Sequence, residues 1–229
     1  MKNISIAILG STKGTDAFHI LQSIHDGILQ GIKVECVISN REKAGVLESA
    51  RRFNVPAIFL SAKKEMNQTS IQTSNQTSNQ TMTNQTMTNQ TMTNEEYDRK
   101  LLDVLVKYHV DYVLLIGWMR ILSETFVQEM KNKIINIHPS LLPAFEGNMD
   151  MNIHRAVIER GCKVTGATLM FVDQGVDTGP IIAQFPVMVN EADTPETLKN
   201  RVQKAEKQLF MDYLPLLRDG RIELVENKV

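Results

Sequence analysis

The chain has 229 residues, 42% of them hydrophobic, which is enough for one substantial core without disulfides or a metal to hold it. Its 25 basic and 26 acidic residues leave a net charge of -1, which argues against a general nucleic-acid-binding surface, because neutralising phosphates needs a basic excess. The longest apolar runs, such as Val113 to Ile116, are far too short to span a bilayer.

Met1 to Leu9 alternates like a strand and lacks the apolar core of a signal peptide, so no leader is read there. Cys36, in an apolar run, and Cys162, after a glycine, read as free thiols in a reducing compartment. A cytoplasmic protein is expected.

Ile4 to Leu9 predicts the first strand. Gly10-Ser11-Thr12-Lys13-Gly14-Thr15 follows, and then a helix with Ala17, Ile20, Leu21, Ile24 and Ile28 at helical spacing. A strand, a glycine-bearing turn and a helix make the local form of an anion site: the backbone can approach closely, and free N–H groups at the helix start favour negative charge. The turn fits neither the Walker A pattern, where Lys follows Gly, nor G-x-G-x-x-G. On its residues alone, a tight structural turn and a phosphate cradle both stay open.

Val34 to Ser39 predicts a second strand, about Ala44 to Phe53 a helix, and Val55 to Leu60 a short third strand. Such alternation predicts a parallel sheet with right-handed crossovers. Composition then changes. Asn67 to Asn94 is built of Asn-Gln-Thr-Ser and Asn-Gln-Thr-Met-Thr units, with no charge and Ile71 as its one aliphatic residue. It buries too little to offset the entropy of ordering it, so it is expected to be a disordered insertion in one domain spanning residues 1–229. Five-residue units without a regular apolar position exclude a stacked solenoid.

Glu95 to Tyr108 returns to helix, and Asp111 to Ile116 reads as a central strand buried on both faces. It ends in Gly117-Trp118-Met119-Arg120-Ile121-Leu122. Ser123 is placed to cap a short helix through Met130. Lys133 to His138 predicts the next strand, in which Asn136 and His138, two apart, project to one face until Pro139 stops the ladder. An amide and an imidazole therefore stand together at a strand's C-terminal end, where open α/β sheets place ligands.

A helix is expected from about Asn152 to Glu159, with His154 and Arg155 in its first turn, and strands at Val164 to Asp173 and Ile181 to Val189. The loop between those strands, Gln174 to Pro180, carries Val176 and the carboxylate of Asp177. Thr194-Pro195-Glu196 has the signature of a helix start, with Leu198, Val202, Ala205 and Leu209 as the buried stripe of the last long helix. A short strand at Ile222 to Val225 closes the prediction.

Asn136-x-His138-Pro-Ser-Leu-Leu-Pro143, followed by Gly166 to Thr168 and by Asp177-Thr178-Gly179-Pro180, resembles the folate-dependent formyltransferase superfamily. The resemblance covers nearly everything outside the insertion and is closest to the glycinamide ribonucleotide formyltransferases. It implies an α/β fold with a doubly wound, mostly parallel sheet and antiparallel strands in the C-terminal part. It also implies transfer of a formyl group from 10-formyltetrahydrofolate, as co-substrate, to the amine of glycinamide ribonucleotide. The partners are then small molecules, with no nucleic acid and no membrane, and the chain works as a monomer or homodimer.

The resemblance implies that Asn136, His138 and Asp177 are catalytic and that no metal is required. Asn136 and protonated His138 stabilise the formyl oxygen, while Asp177 raises the imidazole's pKa and relays a proton. It assigns the substrate phosphate to Gly10, Ser11, Thr12, Lys13, Gly14 and Thr15, with Gln203 and Glu206 facing the ribonucleotide. Folate falls to Trp118, Met119, Arg120, Ile121, Leu122, Asn136, Val176 and Asp177, Arg120 orienting the loop. Two departures stand out: the turn lacks the Gly-Asn-Gly-Ser-Asn form common in the family, and Met170 stands where close relatives often have His. Methionyl-tRNA formyltransferase, formyltetrahydrofolate hydrolase and a non-catalytic folate or ribonucleotide binder remain as rival readings. The first two usually carry an extra domain not seen in this sequence.

Overall fold

In chain order the computed structural model contains β1 (Ile4–Leu9), α1 (Thr15–His25), β2 (Ile32–Ser39), α2 (Gly45–Arg52), β3 (Ala57–Phe59), α3 (Asn94–Lys107), β4 (Tyr112–Leu115), α4 (Glu124–Glu129), β5 (Ile134–His138), α5 (Asp150–Glu159), β6 (Val164–Phe171), β7 (Ile181–Met188) and α6 (Pro195–Arg218). The residues described are 3–63, 91–147, 150–224 and 229.

The seven strands form one sheet in the order β3-β2-β1-β4-β5-β6-β7. The pairs among β1 to β5 are parallel, while β6 runs antiparallel to β5 and β7 antiparallel to β6. Strand alternation divides the apolar residues between two faces. On β1, Ile4, Ile6 and Ile8 join a cluster with α1, α2, α5 and α6, whereas Ala7 and Leu9 join a second one with α3 and α4. The chain steps outward from β1 to β3 and then returns to lay β4 on the other side of β1. The crevice at the carboxyl ends of β1 and β4 is the switch point at which such sheets bind ligands. Among the described residues, no helix is long and apolar enough to cross a membrane.

Two expectations change. The helical stripe stops before Ile28: α1 ends at His25, Gly27 turns the chain at φ +73°, and Leu29 takes the buried place while Ile28 is 67% exposed. No strand forms at Ile222 to Leu224, and Val225 lies outside the described residues. Ile222 and Leu224 instead pack, partly buried, against the core, so their alternation serves burial without a ladder.

The boundary of the repeat segment also moves. Thr91 pairs with Lys63 in an antiparallel bridge, and Met92 is buried, its N–H donating to the Ala62 carbonyl at 2.8 Å. Thr93 then caps α3: its hydroxyl accepts from the Glu96 N–H, and Glu96 accepts from the Thr93 N–H at 2.9 Å. Residues 91–94 share the repeat's composition yet belong to the fold, because they start a helix whose Tyr97 and Leu101 are fully buried. Residues 67–90 lie outside the described residues. Thr93→Ala should cost about 1 kcal/mol, the usual loss of an N-cap, read as a lower denaturant midpoint at unchanged slope.

Candidate active site

β5 ends in the crevice with Asn136 and His138 on one side, and its register with β6 anchors the loop beyond it. His138 pairs with Thr168, whose buried hydroxyl donates to the Ser140 carbonyl at 2.7 Å and accepts from the Leu142 N–H at 3.0 Å. Gln184 on β7 donates to the Leu142 carbonyl at 2.9 Å. The loop after His138 is thus held by the antiparallel strands.

Asp177 comes from the β6–β7 loop, where it adopts φ +58°. Asp173 shapes that loop by accepting from the Gly175 N–H at 3.0 Å and the Thr178 hydroxyl at 2.7 Å. The result points the Asp177 carboxylate at β5. Oδ2 lies 3.3 Å from His138 Nδ1 and accepts from the Gly147 N–H at 3.1 Å, while Oδ1 accepts from the Asn136 amide at 3.4 Å. Amide, imidazole and carboxylate therefore converge, as the sequence reading requires.

His138 is 4% exposed and has an acceptor at each ring nitrogen, since Nε2 lies 3.3 Å from the Phe145 carbonyl. A neutral ring can donate to one of them and a protonated ring to both. Burial nevertheless wins, holding the pKa below its ordinary value against the upward pull of the Asp177 charge, the Phe145 carbonyl and Glu146. Asp177 pulls upward, in the expected direction, but desolvation is larger.

The turn after β1 approaches the same cavity. Gly14, at φ +66°, is the N-cap of α1, and no side chain caps that helix start. A Cβ at Gly14 would lie 2.7 Å from Val46, so only glycine lets the turn pack on α2. Thr12, Lys13, Gly14 and Thr15 line the cavity.

Gly10 and Ser11 are not among the lining residues, and their polar groups are bonded within the protein. The Gly10 N–H is taken by Ile38 and the Ser11 N–H by Gly117, both at 3.0 Å. The Ser11 hydroxyl donates to Asn40 at 2.6 Å and accepts from the Met119 N–H at 3.0 Å. Gly117, at φ +60°, leaves room for Thr12, whose hydroxyl would sit 2.3 Å from a Cβ there.

Trp118, Met119, Arg120, Ile121 and Leu122 also line the cavity, as does Val176, which is half exposed. Arg120 donates to Asn94 at 2.8 Å and stacks 4.1 Å over Tyr97, which ties the loop to α3. Gln203 and Glu206 enter from α6, and the whole cavity measures about 670 Å³. Sequence reasoning missed Lys199 and Gly147. Lys199 lies four residues before Gln203 and so on the same helical face, a legible signal. Gly147 acts through its backbone N–H, which no side-chain pattern reports.

A formyl transferase family model matches residues 4–214. Among curated proteins, the human trifunctional purine biosynthetic protein adenosine-3 is 34% identical over 99% of the chain, which corresponds to 19% of its own length. The chain thus spans about a fifth of that relative. The phosphoribosylglycinamide formyltransferase of Haemophilus influenzae is 32% identical over 97% of the chain and 91% of its own length. The crystal structure of glycinamide ribonucleotide transformylase 1 from Symbiobacterium toebii superposes with a TM-score of 0.79 at 34% identity, covering 99% of this chain and 93% of that one. On the extent of the family match and on relatives covered nearly end to end, the chain belongs to the formyl transferase family, among the phosphoribosylglycinamide formyltransferases.

Proposed function

We propose that the protein transfers the formyl group of 10-formyltetrahydrofolate to the amine of glycinamide ribonucleotide, a step of de novo purine synthesis. The observation that carries this is the single cavity joining an uncapped helix start, the Asn136–His138–Asp177 cluster and the apolar loop 118–122. The first suits a phosphate, the last a flat aromatic ring system, and the cluster lies where an amine and a formyl carbon from the two would meet.

Attack of the amine on the formyl carbon puts negative charge on the formyl oxygen, and fixed donors stabilise that charge more than water can. Asn136 has one N–H directed at Asp177, which leaves the second for the substrate. The Nε2 contact to the Phe145 carbonyl is long at 3.3 Å, and a developing oxyanion is the better acceptor for that proton. His138, kept neutral at rest by burial, takes up a proton from solvent as charge builds, with Asp177 holding the cation at Nδ1, and returns it to solvent when the formyl carbonyl re-forms. The tetrahedral intermediate then collapses with expulsion of the folate N10. The proton lost by the amine reaches that nitrogen through Asp177, directly or by one water. Transfer is direct, without a covalent enzyme intermediate. The proposal includes a cytoplasmic enzyme acting on small molecules as a monomer or homodimer; its two free cysteines suit a reducing compartment.

Purified protein given 10-formyltetrahydrofolate should turn over with glycinamide ribonucleotide, and not with tRNA or water as acceptor. His138→Ala and Asp177→Ala should each lower kcat by about 10²-fold or more with the fold intact; near wild-type turnover in either would remove these roles. Asp177→Asn removes an influence that raises the His138 pKa, so the imidazole's NMR titration should move to lower pH. An upward movement would contradict the electrostatic assignment.

A further inference from the structure

Asp16 takes no part in the mechanism above, yet it occupies a costly position. It stands in the first turn of α1, is 6% exposed, and lines the cavity beside the turn assigned to phosphate. Its Oδ1 has no hydrogen-bond partner among the described residues. Its carboxyl is in hydrogen-bond contact with that of Glu206 on α6, itself 6% exposed and lining the same cavity.

Ionised carboxylates only accept hydrogen bonds, so two of them in contact require a proton between them. Burial favours the same outcome, and the Asp16 carboxyl is pushed up to about 6, with Glu206 pulling the other way. The helix N-terminus draws negative charge, and an ionised Asp16 competes there with a phosphate dianion. The remaining charged groups lining the cavity are Lys13 on the turn and Lys199 on α6, with Arg120, His138, Asp173 and Asp177 from the strand ends and loops. No charged residue of α2 or β2 lines it among the described residues.

We propose that Asp16 and Glu206 act as one carboxyl pair that keeps a proton when a phosphorylated substrate binds. Asp16 is then a positioning residue, which holds Glu206 and sets the pH range over which the start of α1 accepts a phosphate dianion. This rests on the phosphate assignment made under the proposed function. Above the pair's midpoint, binding must bring the proton back, so affinity falls as pH rises and proton uptake accompanies binding.

Calorimetry of glycinamide ribonucleotide binding at pH 7.5, in two buffers of different ionisation enthalpy, reads that uptake. The wild-type protein should take up about 0.3 proton per site or more beyond what Asp16→Asn and Glu206→Gln take up, because either variant removes the pair's titration. The ratio of kcat/KM between wild type and Asp16→Asn should change at least about fivefold from pH 6 to pH 8. Equal proton uptake in all three proteins, or parallel pH profiles, would overturn the proposal, since a merely structural aspartate leaves both unmoved. Carboxyl ¹³C NMR of the free protein tests the pair even if the ribonucleotide is not the substrate. A midpoint near 6 that vanishes in Asp16→Asn supports the pair, and its absence in the wild-type protein overturns it. Inorganic phosphate, titrated in the same two buffers, separates a phosphate site lacking the pair's linkage from a cavity that takes no phosphate at all.

Discussion

The site depends on the direction in which one carboxylate points. Asp177 reaches His138, Asn136 and the Gly147 N–H only because its loop is folded back on β6, with Asp173 accepting from Gly175 and Thr178. Each hydrogen bond to a charged group is worth about 1.5 to 3 kcal/mol, so several together hold a left-handed backbone that would otherwise be disfavoured. The same carboxylate both fixes the imidazole and orients the amide. Loss of the loop's shape would therefore disable two donors at once.

A second constraint joins the two halves of the cavity. Ser11 lies in the turn after β1, and its backbone and hydroxyl bond the 117–119 segment that starts the apolar loop. Gly117 lets Thr12 pack against that segment with no side chain between them. The parallel pairing of β1 with β4 sets these two loops side by side, which is what the switch-point position means physically. Two substrates bound in the separate halves would meet at β5, the next strand along the sheet.

Much of this was legible because it is local. The β-branched run Ile134, Ile135 and Ile137 marks β5, and a spacing of two puts Asn136 and His138 on one face. What was not legible depends on how segments meet. Residues 91–94 carry the repeat's composition, and only burial of Met92 and the cap on α3 separates them from it. Ile28 continues a helical period that a glycine at positive φ has already ended. The sign of the His138 shift needed a comparison of magnitudes, desolvation against a neighbouring charge, which spacing cannot supply.

That comparison also links the two ends of the cavity. Burial disfavours charge whatever its sign, so it lowers the pKa of a base and raises that of an acid. His138 and Asp16 are driven by the same cause in opposite directions, and both are favoured in their neutral forms. In the proposed reaction charge enters with the ligand and on the formyl oxygen, beside buried groups placed to answer it with a proton. A solvated site would meet the same charges with water, whose dipoles must reorient each time, whereas here the partner groups are already in position.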